Sequence, residues 1–147
     1  MSRADQALET RQKLLDTALV LFSTQGYSKT SIRALARQVG LSDGILYHHF
    51  PHGKQQILEV LLTQGIQKAL AQLNLFNQDL ENSPLAKVLN TLCELCVQLF
   101  SQHKALLKVI LRESENMQLS EIHVITQLFQ TRQQWLTDLL AQRHAQG

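Results

Sequence analysis

Between Thr30 and Lys54 the chain reads TSIRALARQVGLSDGILYHHFPHGK, and this stretch narrows the fold more than any other. Thr30 or Ser31 can cap a short helix whose apolar face is Ile32, Leu35, Ala36 and Val39, and Gly40 ends it. Ser42 caps a second helix, with Asp43 in the first turn where the helix dipole favours an acid. Pro51 forbids that helix from continuing. Two short helices about a tight turn, followed by an aromatic and histidine segment and a lysine, are the layout of a helix-turn-helix. Such a unit lays its second helix in the major groove of DNA.

The remainder of the chain predicts an all-α protein. Of 147 residues 44% are hydrophobic, only two are proline and six are glycine, and the apolar residues recur at helical spacing. Helix 1 is expected from Arg11 to Gln25, with Leu15, Ala18, Leu19 and Phe22 inward and Gly26 as its stop. Helix 4 is expected from Lys54 to about Leu75, and Asn77 to Ser83 reads as a loop. Ser83 then serves as a cap with Pro84 at the first helical position. Helix 5 carries Leu85, Val88, Leu89, Leu92, Cys96, Leu99 and Phe100 on one side. Helix 6 covers roughly Lys104 to Asn116. Ser120 caps helix 7, whose inward residues are Ile122, Ile125, Leu128, Phe129, Leu136, Leu139 and Leu140. The expected organisation is a three-helix DNA-binding head over 1–53 and a helical bundle over 54–147.

Charge is distributed to suit that division. Residues 1–56 hold seven basic residues (Arg3, Arg11, Lys13, Lys29, Arg33, Arg37, Lys54) against four acids (Asp5, Glu9, Asp16, Asp43), whereas 57–147 hold seven against eight. The basic excess lies with the helix-turn-helix, where phosphates require it. Met1–Arg11 is too polar for a signal peptide, and no apolar run reaches the ~18–20 residues of a membrane span. A cytoplasmic, reducing location is the default expectation. The two cysteines, Cys93 and Cys96, do not make a disulfide framework.

Within the helix-turn-helix, chemistry assigns roles. Ser42, Asp43 and Gly44 form a small, polar first turn that lets the backbone approach base edges. Asp43 can accept from a cytosine amino group, and Ile45 can touch a thymine methyl. His48, about one turn on, faces the same groove. Tyr47 suits a phosphate contact through its hydroxyl. Thr30 and Ser31 offer donors to phosphate at the start of helix 2. Lys54 and Arg33 are further phosphate candidates, and Arg37 reads as a solvated charge. Each has a plainer alternative: Tyr47 can plug the core edge, Asp43 can serve only the helix dipole, and Thr30 can act only as a cap. Leu46 and Phe50, four apart, are expected in the core.

Other groupings carry less. His48 and His52 are separated by Pro51, and His48 and His49 point about 100° apart, so no metal site is expected, nor any cofactor. Imidazoles beside phosphates should instead gain protons near neutrality. Cys93 and Cys96 can be read as a thiol sensor, but core packing is the preferred reading because Cys96 falls on the apolar stripe. Glu94, Glu113 and Glu115 read as solvated rather than as a cationic-effector site. Ile66, Leu99, Phe100, Met117, Phe129 and Trp135 are candidates to line a pocket, with core packing the preferred reading for the last four in a small bundle. No nucleophile–base pair, phosphate loop or paired carboxylates appear, so an enzyme is not expected and no catalytic residue is assigned.

The pattern T-S-I-R-x-L-A-R-x-V-G-L-S-x-G-x-L-Y-H-H-F resembles the DNA-binding domain of the TetR family of bacterial transcriptional regulators. The likeness runs from about Arg11 to Leu62. The FPHGK segment resembles the F-P-x-G-K variant of a branch that includes multidrug-resistance regulators. The resemblance implies a homodimeric repressor bound to a palindromic operator in double-stranded DNA and released by a small, mostly apolar effector. It also implies DNA contacts from Ser31, Arg33, Asp43, Gly44, Ile45, Tyr47, His48 and Lys54. An acid at Asp43 departs from the Lys or Pro-type residues common there. Family chains are typically longer and end in two helices that pair in the dimer. This chain therefore reads as C-terminally short, as dimerising through other helices, or as not dimerising. The rival expectation is a truncated interaction protein that binds a half-site weakly or modulates a full-length partner.

Overall fold

The computed structural model describes the backbone of all residues except Glu81 and residues 116–118, and side chains except those at 73–79, 81, 116–122, 124, 125 and 128. The described residues form seven helices: α1 (Arg3–Thr24), α2 (Ile32–Val39), α3 (Asp43–His49), α4 (Gly53–Leu80), α5 (Leu85–Gln102), α6 (Lys104–Glu113) and α7 (Leu119–Ala145).

Capping explains several boundaries. α1 begins at Arg3 rather than Arg11, because Ser2 and Asp5 form a capping box. The Ser2 hydroxyl accepts from the Asp5 N–H at 3.1 Å, and Asp5 Oδ2 accepts from the Ser2 N–H at 2.9 Å. The added turns are exposed, so an apolar periodicity cannot reveal them. Ser31 accepts from the Ala34 N–H at 3.0 Å and Ser42 from the Ile45 N–H at 3.3 Å, each at the start of its helix. Gly40 closes α2 in the left-handed region with φ 76°, a conformation that costs an L side chain about 1 kcal/mol or more.

The second half corrects the boundaries expected of it. α4 continues to Leu80, through the start of the segment read as a loop. Pro84, not Ser83, occupies the cap of α5, and no side chain caps it. Ser83 is buried, and its carbonyl accepts from Arg143 near the end of α7. α6 ends at Glu113, and α7 starts at Leu119, which places Ser120 inside the helix. On α5 the buried positions are Val88 and Leu95, while Leu85, Leu89, Cys96 and Phe100 are exposed. The apolar residues of that helix exceed one stripe, and tertiary packing selects the face. Phe129 and Leu140 of α7 are likewise exposed. The inward placement expected of Ile122, Ile125 and Leu128 lies outside the described residues.

One core unites the first three helices with the bundle. Leu14, Leu15, Ala18 and Phe22 of α1 meet Leu35 and Ala36 of α2, and Leu46 and Phe50 around α3. Ile57, Leu58, Leu61 and Leu62 of α4 and Leu106 and Val109 of α6 close it. Gly65 allows α6 to lie close to α4, since a methyl there would collide with Leu106 Cδ2. A smaller cluster of Leu80, Val88 and Leu139, with Leu92 and Trp135 against it, joins α4, α5 and α7. Gln72 donates to Gln102 at 2.6 Å between α4 and α5. None of the described helices is long and apolar enough to cross a membrane.

The turn between α1 and α2 is held by α6. Buried Glu113 accepts from the Tyr27 N–H at 3.1 Å, and Arg112 donates to the Thr24 carbonyl at 3.4 Å. Leaving a half-buried N–H without its acceptor costs about 1–3 kcal/mol. Glu113→Ala should therefore lower unfolding stability by that amount in urea, whereas Glu113→Gln, which keeps an acceptor oxygen, should lower it by less. Equal losses in the two variants would rule out this hydrogen bond as the tie.

Candidate nucleic-acid interface

α3 is anchored from beneath and open above. Leu46 and Phe50 are fully buried, while Ile45 is 44% and Tyr47 47% exposed. Gly44 and His48 are also exposed. Four-residue spacing puts Leu46 and Phe50 on one side and leaves the other side free to enter a groove. The Arg11 guanidinium lies 4.7 Å over the Phe50 ring and pins the exit of α3 to α1. No local pattern in the sequence marks Arg11 for this contact, since its partner lies far along the chain.

Gly44 has no steric need to be glycine. Its backbone is not in the left-handed region, and a Cβ there would meet only Ser42 Oγ, at 4.0 Å. Gly53 is different: its φ is +66°, and a Cβ would come within 3.3 Å of Tyr47 Cε1. The FPHGK turn thus both reverses the chain and provides the floor against which the Tyr47 ring rests.

The structure separates the expected phosphate contacts. Ser31 is exposed and caps α2, and Arg33 is exposed beside it. Thr30 is only 1% exposed, and its hydroxyl donates to the Gly26 carbonyl at 2.8 Å. It therefore offers no accessible hydroxyl to a phosphate, a correction to its expected role. Lys54 is also turned inward: Nζ donates to the Tyr27 carbonyl at 2.9 Å and sits 4.3 Å over the Tyr27 ring. That ring in turn meets Phe22 edge-on at 5.1 Å. Asp43 Oδ2 lies 3.7 Å from Arg33 Nε, an exposed pair worth under about 1 kcal/mol that a DNA contact can reopen. Ser42 accepts from the Ile45 N–H as Ser31 does from the Ala34 N–H, and each keeps its O–H to donate.

The histidines form no helical ligand pair. His48 and His49 meet edge-on at 5.6 Å. Burial, the neighbouring His48 and then Arg11 hold the His49 imidazole below its ordinary range.

The candidate effector residues are not brought together. Ile66 and Leu99 are half-buried, but neither belongs to the described core clusters. Phe100 and Phe129 are 65% and 69% exposed, which corrects both the pocket and the core readings for them. Met117 lies outside the described residues. Cys93 and Cys96 are both exposed, so the core reading of Cys96 is also corrected. Glu113, read as solvated, is instead buried against Tyr27.

Residues 14–61 match the profile of the bacterial regulatory proteins of the tetR family. Over 139 residues the chain is 24% identical to the transcriptional regulator UidR of Escherichia coli, covering 94% of this chain and 66% of that protein. It is 30% identical over 112 residues to the probable acrEF/envCD operon repressor of Escherichia coli, covering 75% of this chain and 50% of that one. The chain thus spans about half to two thirds of the length of these relatives. Its fold superposes on a transcriptional regulator of the TerR/AcrR family from Aquifex aeolicus with a TM-score of 0.66 at 18% identity, covering 90% of this chain and 72% of that one. It also superposes on the superantigen PfiT with a TM-score of 0.73 at 25% identity, covering 94% and 72% of the two chains.

Two outcomes follow for the head. Lys54→Met keeps the stem but loses the donor and the charge, and should cost about 1–2 kcal/mol of stability in thermal unfolding without DNA. An unchanged melting temperature would return Lys54 to the set of purely surface cations. For His49 the unfolded chain takes up its proton at a higher pH than the folded one. Its contribution is fully present above about 6.5, the ordinary histidine value, and is lost as pH falls below it. Wild-type stability should therefore fall more steeply than that of His49→Gln as pH drops from about 7 to about 5. Parallel curves would exclude this linkage.

Proposed function

We propose that this chain, whose residues 14–61 match the TetR family of bacterial regulatory proteins, is a DNA-binding transcriptional regulator, acting as a repressor on a palindromic operator. The observation that carries this reading is the exposed face of α3. Gly44, Ile45, Tyr47 and His48 project outward from a helix fixed by fully buried Leu46 and Phe50. Gly44 and Ile45 approach base edges, His48 faces the same groove, and the Tyr47 hydroxyl and the exposed Ser31 and Arg33 meet phosphate. Asp43 exchanges its Arg33 partner for a cytosine amino group.

A homodimer would set two α3 helices in successive major grooves about one DNA turn apart. A small apolar effector in the α4–α7 half releases the operator by favouring the unbound spacing of the heads, for which a few kcal/mol of differential affinity suffices. α6 supports this coupling, because it packs in the core of the head and holds the α1–α2 turn through Glu113.

The test is selection of sites from a random DNA pool by the purified 147-residue chain at physiological salt. Enrichment of an inverted repeat is expected. A single half-site would overturn the dimeric reading, and no enrichment would overturn sequence-specific binding. Gly44→Ala isolates the groove contact. It should leave stability unchanged or raise it by about 0.5 kcal/mol, yet weaken operator binding by on the order of 1 kcal/mol or more. Undiminished binding would mean that α3 does not approach the bases at Gly44.

A further inference from the structure

The α5 surface carries chemistry that DNA binding does not use. Cys93 and Cys96 are both free and exposed. Three residues apart on a continuous helix, they project within about 60° of each other and are neighbours on its surface, with Cβ atoms roughly 5–6 Å apart. The inward position is filled by Leu95, which is 2% exposed, so neither thiol is needed for packing. Apolar side chains stand about one turn from them: Leu89 is 47%, Val97 66% and Phe100 65% exposed. Cys93 also borders a shallow groove with Glu94, Val97, Gln98, Ser101 and Gln102.

Two neighbouring exposed thiols with apolar residues one turn away suit a soft centre that takes two sulfur ligands and carries an organic group. We propose that Cys93 and Cys96 form a bidentate site for thiophilic trivalent metalloids, organoarsenicals being the type. In the reaction with an arylarsine oxide two As–S bonds replace the bonds from arsenic to oxygen. The two thiol protons leave with that oxygen as one water molecule, and nothing is oxidised or reduced. The aryl group is left among Leu89, Val97 and Phe100. The site does not depend on the DNA-binding reading, because it is assayed on the protein alone.

The test uses the full chain with phenylarsine oxide, read by intact mass and by titration of free thiols. One adduct per chain is expected, with both thiols lost. The adduct should survive a monothiol competitor and be stripped by a dithiol. Cys93→Ser and Cys96→Ser, both on an exposed face, should each weaken retention by on the order of a hundredfold, since chelation is lost. A wild-type adduct stripped by the monothiol would overturn the proposal. So would equal retention in either single variant, or arsenic bridging two chains.

Discussion

The peptide of Tyr27 is the constraint on which the rest of the head depends. Its N–H is taken by Glu113 of α6 and its carbonyl by Lys54 of α4. The ring packs edge-on against Phe22 of α1 and lies under the Lys54 ammonium. One residue in the α1–α2 turn is therefore gripped by three helices. Buried polar groups that are mutually satisfied specify a single arrangement better than apolar contact alone, since any slip strands a donor or acceptor. Here that specificity sets where α2 begins, and through the α2–α3 packing it sets where α3 presents its outer face.

The same grip means that the head is not an independent unit resting on a bundle. Leu106 and Val109 of α6 are part of the core that holds Leu46 and Phe50. Gly65 is small because α6 must come close to α4, and the two carry the load together. A shift of α6 would reach α3 through packed side chains and two hydrogen bonds, with no long lever required. The second cluster, of Leu80, Val88 and Leu139, is small by comparison and leaves much of α5 uncovered.

Two corrections share one cause. Residue type suggests phosphate for Thr30 and Lys54, yet each donates to an internal carbonyl instead, of Gly26 and Tyr27 respectively. A residue type states which hydrogen bonds it can make, not which carbonyl the fold brings near. Gly44 shows the reverse case. A Cβ there would meet only Ser42 Oγ, so no close packing within the protein calls for glycine at this position.

The helix-turn-helix was readable from local signals because its determinants are local: Ser31 and Ser42 as caps, Gly40 as a left-handed stop, Pro51 as a breaker and the four-residue spacing of Leu46 and Phe50. The all-helical class followed from periodicity in the same way. In the second half local signals stopped short. α5 carries apolar residues around more than half of its circumference, so periodicity admits more than one inward face. Only packing against α4, α6 and α7 chose Val88 and Leu95 over Cys96 and Phe100. The Glu113–Tyr27 and Arg112–Thr24 ties span more than eighty residues and leave no spacing to read. Local caps and breakers determined where the short helices of the head start and stop. Tertiary contacts alone decided that Lys54 turns inward to Tyr27 and which face α5 buries, because those partners come from distant parts of the chain.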